Sequence, residues 1–193
     1  MPQWRQEFAT YFVTFRLADS LPLDLLQRWK EEKTSWLESN PEPWSPVQRR
    51  FFNSNFPGRM ERWLDRGMGE CILENQSNRE CLEVSLTKGD AIDYFLGDWV
   101  IMPNHVHLLV RPLRDVKLSK LLQVWKGASS HRINRRSGGG GRLWMEESFT
   151  RIVRNRDKLK KASEYIRNNP GKASLVEGTY SLACGKAKWL DPT

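Results

Sequence analysis

Two runs rich in β-branched and aromatic residues constrain the chain most: 93–101 (DYFLGDWVI) and 105–110 (HVHLLV), joined by Met102-Pro103-Asn104. A Pro-Asn link this short is a turn signal that folds the second run back antiparallel on the first. In that strand residues i and i+2 point to one face. His105 and His107 therefore project side by side, and Val106, Leu108 and Val110 face the other way. Two imidazoles on one rigid face fit two roles: ligands of one metal ion, or partly buried histidines that only hydrogen-bond.

The remaining pattern gives the class. Residues 10–17 (TYFVTFRL) read as a strand, with Tyr11, Val13 and Phe15 on one face and Phe12 and Thr14 on the other. A helix is expected over about 23–38, and further helix over 47–66, broken near Asn55-Phe56-Pro57-Gly58. A short helix over 78–87 is weakened by Val84-Ser85-Leu86. The insertion spanning about 40–88 suits an accessory surface and a cover for the core equally. Residues 117–136 are helical in pattern, 137–141 (SGGGG) form a flexible link, and 149–153 read as a last strand. A final helix, 156–169, is expected to stop at Pro170-Gly171. The tail, about 172–193, is weakly patterned and ends in Lys186-Ala187-Lys188-Trp189. The expectation is one α+β domain over 1–193: a ferredoxin-like or RRM-like antiparallel sheet with helices on one face.

Charge narrows the partner. The net charge is +8, but residues 114–172 hold 16 Lys and Arg against 5 Asp and Glu, an excess of 11 that leaves the rest at −3. Such clustering suggests a polyanion, nucleic acid before membrane. Three cysteines without a C-x-x-C argue against a disulfide framework and a cysteine zinc site. No signal-peptide pattern and no apolar run near the ~20 residues of a membrane span are seen, so a soluble protein of a reducing compartment is expected.

On the last helix Leu159, Ala162 and Ile166 make the core stripe. Tyr165 and Asn169, four apart, share the bordering face with Lys158 and Lys161. Tyr165 also fits a rim aromatic, and Asn169 a helix cap. With the histidines, another chemistry emerges. A phenol attacks a phosphodiester only when held in line with a phosphate whose charge is neutralised. A divalent metal held by His105, His107 and the Asn169 oxygen would supply that neutralisation. Neutral N, N, O donors suit Mg²⁺ or Mn²⁺, with Zn²⁺ also open. A tyrosyl–DNA ester would keep the bond energy for a later rejoining by a 3′-hydroxyl.

MPNHVHLLV followed by YIRNNP resembles the REP-associated tyrosine transposases, relatives of the single-tyrosine insertion-sequence transposases among the HUH endonucleases. The resemblance extends through YFVTFRL, WLDRGMGEC, LSKLLQVWKG and YIRNNPGKASLV. It implies that His105 and His107 bind the metal, that Tyr165 is the nucleophile and that Asn169 completes coordination. It implies cleavage of single-stranded DNA beside a hairpin in a bacterial cytoplasm, near the nucleoid, through a 5′-phosphotyrosine intermediate. It favours a monomer; the alternative is a homodimer in which the glycine link lets the last helix dock on a partner chain. Two motifs depart from the family pattern: Phe149-Thr150 replaces Phe-Asp, and Gly171 and Ser174 replace Val and Gly. Phosphate contacts are expected from Lys117, Lys120, Lys126, Arg132, Arg135 and Arg136 on one helix, and from Arg151, Arg154, Lys158 and Lys161 nearer the tyrosine. His131 reads as a plain helix-face residue. Two other functions remain in view: a silent hairpin-DNA-binding protein, and a metal nuclease that uses water.

Overall fold

The computed structural model describes residues 9–113 and 115–185; the 186–189 end of the tail lies outside them. Strands Thr10–Arg16 (β1), Tyr94–Ile101 (β2), His105–Pro112 (β3), Phe149–Val153 (β4) and Ser181–Ala183 (β5) form one antiparallel sheet, ordered β4-β1-β3-β2-β5. The expected hairpin is β2–β3, closed by Met102 N–H donating to the His105 carbonyl (2.8 Å). β3 is central, paired with β1 on one side and β2 on the other. That burial explains why its pattern is nearly continuous apolar apart from the histidines.

Side-chain alternation divides the core in two. Val13, Phe15 and Leu17 of the β1 end join Val106, Leu108 and Val110 on one face. There they meet Leu82 and Leu86 of the helix Gln76–Thr87 (α4) and Leu121, Trp125 and Ile133 of the helix Leu118–Ser137 (α5). Phe12 and Leu109 point the other way and meet Leu159, Ala162 and Ile166 of the helix Arg156–Lys172 (α6). The α+β class stands, but helices cover both faces of the sheet rather than one. The two crossover helices share a face, and the helix after β4 wraps onto the other. The sequence pattern of a fully buried strand does not say how many faces are covered.

Between β1 and α4 lie three more helices: Leu23–Ser39 (α1), ahead of the insertion, and Pro46–Asn55 (α2) and Pro57–Leu64 (α3) within it. The break between α2 and α3 falls where expected, at Phe56-Pro57. Ser45 and Gln48 form a reciprocal capping box at the start of α2. These helices have an aromatic core of their own. Trp36 packs against Trp44 (5.1 Å between ring centres), Phe52 (5.3 Å) and Phe56 (6.0 Å).

Two boundary expectations are corrected. α6 does not stop at Pro170 but runs through it to Lys172. A proline in the last turn forfeits only its own N–H bond. Pro170 is buried, and Ala173 N and Leu175 N bond the Asn169 and Pro170 carbonyls at 3.1 and 3.0 Å. Packing outweighs the local penalty. The weakly patterned tail contains β5, which at three residues is too short to show a period. Arg79, 3% exposed, fastens it: Nε donates to Ser181 Oγ at 2.9 Å and Nη2 to the Gly178 carbonyl at 2.6 Å.

Candidate active site

His105 and His107 stand on the face of β3 that looks towards α6, both almost fully buried (1% and 0% exposed). Their Nε2 atoms are 3.0 Å apart. The second nitrogen of each ring is held. His105 Nδ1 lies 2.7 Å from Asn104 Oδ1, and the Asn104 amide nitrogen donates to the Met68 carbonyl at 2.9 Å. That second bond turns the amide oxygen towards His105, so Nδ1 carries the proton and Nε2 presents a lone pair. The Met68 loop is itself pinned to the end of β1. Glu70 N–H donates to Asp19 Oδ2 at 2.7 Å, and Gly69, at φ +89°, passes so near Asp19 that a Cβ would lie 2.7 Å from its carbonyl oxygen.

His107 is oriented from the neighbouring strand. The β1–β3 register sets Thr14 opposite His107, and Thr14 Oγ1 lies 2.7 Å from Nδ1. A hydroxyl donates or accepts, so Thr14 serves either His107 tautomer. Burial pushes the His105 pKa down to about 3, and burial together with the neighbouring ring holds that of His107 well below its ordinary value. Both imidazoles are neutral near pH 7, the form that ligates metals.

α6 brings the other half. Asn155 caps its first turn, its side chain accepting from Lys158 N at 2.9 Å. The buried stripe Leu159–Ala162–Ile166 lies against the sheet. That contact sets Tyr165 against His107, with ring centres 5.2 Å apart at 79°. Phe12 fills the corner, stacked on His107 (5.6 Å, 24°) and edge-on to Tyr165 (5.7 Å, 78°). Lys172 Nζ stands 4.8 Å from the centre of the Tyr165 ring. The Arg167–Asp98 pair (Nε–Oδ2, 2.8 Å) ties the helix to β2, and Gly185 N–H bonds the other carboxylate oxygen at 2.9 Å. All these groups come from one chain, so the juxtaposition needs no partner subunit.

The polar atoms at this contact are left open. Tyr165 Oη and both amide atoms of Asn169 are buried with no hydrogen-bond partner. The Asn169 amide and the Glu61 carboxylate of α3 lie beside the phenol, without a bond of normal geometry. Burial, then Glu61 and Asp65, raise the Tyr165 pKa above its ordinary value, so the phenol is neutral. Burial likewise raises that of Glu61, tempered by Arg151. An unpaired buried amide costs about 1–3 kcal/mol, and its two polar atoms are open to a further partner.

A divalent cation fits this donor set. Two nitrogens 3.0 Å apart need a proton or a cation between them, and metal–nitrogen bonds of ~2.1 Å are compatible with that spacing. Among the described residues no cluster of three His, Cys, Asp or Glu side chains offers an alternative. The free Asn169 oxygen is a third neutral donor one turn beyond Tyr165.

The expected phosphate contacts separate into groups. Arg151 lies nearest the site: it is opposite Phe12 in the sheet, with its guanidinium 5.4 Å from that ring. Arg154, in the link from β4 to α6, and Lys158 and Lys161, in the first turns of α6, are exposed. Lys117, Lys120, Arg135 and Arg136 are exposed, but α5 covers the opposite face of the sheet. Two are committed to the fold. Lys126 Nζ donates to the Met145 and Glu146 carbonyls and to Ser148 Oγ (2.9, 3.0 and 2.6 Å), and burial lowers its pKa to about 8. Arg132 Nη1 reaches Ser85 Oγ at 3.1 Å, joining α5 to α4. His131 is exposed, as its position suggests.

Sequence reasoning missed Thr14, Phe12, Asn104 and Glu61. Asn104 was in view as a turn residue. Thr14 and Phe12 needed the β1–β3 register, and Glu61 needed the docking of α3.

No helix among the described residues is long and apolar enough to cross a membrane. No curated protein matches the chain. Among solved structures, a REP-associated tyrosine transposase bound to a REP hairpin is similar at 14% identity and a TM-score of 0.46, over 92% of this chain and 77% of that one. The family model described as "Transposase IS200 like" matches residues 70–169, just over half of the chain, and that segment holds both histidines, Tyr165 and Asn169. The chain belongs to the IS200-like transposase family.

Proposed function

We propose that the protein is a metal-dependent single-stranded DNA endonuclease and strand transferase that acts at hairpin DNA through a 5′-phosphotyrosine intermediate. The observation that carries this reading is the Tyr165 phenol packed 5.2 Å from the His107 ring, with its hydroxyl and the Asn169 amide buried and unpartnered. His105, His107 and Asn169 hold a divalent cation, Mg²⁺ or Mn²⁺. When bound, the cation neutralises charge on the scissile phosphate.

The chain's own groups do the rest. Phe12 and the sheet fix the phenol ring, and the Lys172 ammonium adds positive charge beside it. Tyr165 Oη attacks phosphorus: the Oη–P bond forms and the P–O3′ bond breaks, leaving a 3′-hydroxyl protonated from water. Because the phenol is neutral, its proton needs an acceptor, and the Glu61 carboxylate is beside it. Arg151, next to Phe12, is placed to meet a phosphate oxygen. Rejoining reverses the step, with a 3′-hydroxyl as nucleophile. The hairpin specificity rests on the sequence resemblance, and the cis arrangement of α6 supports a monomer.

Incubation with end-labelled hairpin DNA carrying a single-stranded tail, in Mg²⁺ or Mn²⁺, tests the reading. The expected result is a covalent protein–DNA adduct that disappears in Tyr165→Phe. Retarded but uncut DNA would make the protein a silent binder. Cutting that survives Tyr165→Phe would make it a nuclease that uses water.

A further inference from the structure

The helices α1–α3 precede the segment that matches the family, and apart from Glu61 of α3 the site does not account for them. Between them and the β1–β4 edge lies a cleft of about 2080 Å³. Small-molecule pockets are typically ~300–1,000 Å³, so this cleft is sized for a polymer. It borders the site: Thr14, the partner of His107, and Glu61, beside Tyr165, are both in its wall.

The wall has two kinds of surface. Eight Lys and Arg line it against four Asp and Glu; the Lys30–Glu147 pair, 3.4 Å apart, cancels one of each and leaves seven against three. Arg49 of α2 faces the cleft from one side; Arg151, Arg154 and Lys158 face it from the other. Between the cations are Phe149 of β4, 42% exposed on the outermost strand, and the half-buried outer sides of Trp29 of α1 and of Trp44 and Phe52, whose other sides pack in the helices' aromatic core. A basic groove with aromatic faces suits an unpaired strand, whose phosphates pair with the cations and whose bases stack on the rings. A duplex hides its bases and leaves the aromatic wall unused.

We propose that α1–α3 form a clamp for single-stranded DNA, and that the cleft leads the unpaired strand next to the hairpin towards Tyr165. The direction of travel rests on the function proposed above; the binding surface does not.

The test uses the full chain and fluorescent (dT)15 over a range of salt. Arg49→Glu combined with Arg154→Glu removes one cation from each wall. Binding should weaken about tenfold or more, and the slope of log K against log salt should fall by about 1.4, since each single-strand phosphate contact contributes about 0.7. The charge-matched pair Arg50→Glu with Lys88→Glu, outside the cleft, should leave the slope unchanged. Phe149→Ala keeps every charge, so it should weaken binding several-fold with the slope intact. Thermal melting confirms that each variant is folded. Equal losses in both charge pairs, or no loss in any variant, would overturn the clamp. So would an equal loss of binding to a blunt hairpin without a tail. Adduct formation is scored separately: a wild type that binds (dT)15 as described but forms no adduct defeats the proposed function and leaves the clamp standing.

Discussion

Replacing Asn169 by leucine should stabilise the metal-free protein. The Asn169 side chain is fully buried, and neither its nitrogen nor its oxygen has a partner. Leaving an amide in that state costs about 1–3 kcal/mol, and leucine has nearly the same shape without the polar atoms. In a domain of this size each kcal/mol moves the melting temperature by about 2–4 °C. Urea and thermal unfolding in chelator should therefore show Asn169→Leu above the wild type. With Mn²⁺ at a hundred times its Kd the wild type should gain about 2.7 kcal/mol, and the variant should gain far less. The variant thus exchanges binding for stability, the usual relation where a site carries unmet polar groups. If Asn169→Leu unfolds earlier than the wild type in chelator, the amide is already bonded and the argument for an open donor fails.

Other groups give independent tests. Thr14→Val keeps the β-branched shape but removes the hydroxyl 2.7 Å from His107, and should lower Mn²⁺ affinity about 10–100-fold by calorimetry; unchanged affinity would show that the ring needs no such support. Arg167→Ala leaves one oxygen of the buried Asp98 carboxylate unpaired; because the arginine is half exposed, the cost is about 1–2 kcal/mol in urea unfolding, and an unmoved midpoint would count against the tether. Lys126 has a folded pKa of about 8 against an ordinary 10.5, so between those values the unfolded chain holds more protons. Stability relative to Lys126→Met should therefore be flat below pH 8 and climb as the pH rises towards 10.5; parallel curves would refute the shift.

Much of the site's chemistry was legible in the chain. The two-residue period of a strand puts His105 and His107 on one face, and the helical period puts Tyr165 and Asn169 on another. The break at Phe56-Pro57, the hairpin and β4 follow from turn residues and composition. Other features were not legible because they depend on contacts distant in sequence. Pro170 reads as a stop until burial holds the last turn of α6. β5 has no pattern because three residues at an edge need only a neighbour, β2, to form. The basic residues of 117–136 and those nearer the tyrosine, 151–161, were both expected on phosphates, but only packing shows that the sheet lies between α5 and the tyrosine.

What the sequence determined by itself is therefore the local geometry: which side chains share a face, set by backbone periods that hold in any context. What only the tertiary structure decided is which faces meet. The register of β1 on β3 gives His107 its threonine, and the docking of α6 on its own sheet brings the phenol to the imidazoles. The docking of α3 brings a carboxylate to the phenol. Those encounters are fixed by burial and close packing across the core, and apolar surface is too unspecific along the chain to announce its partner.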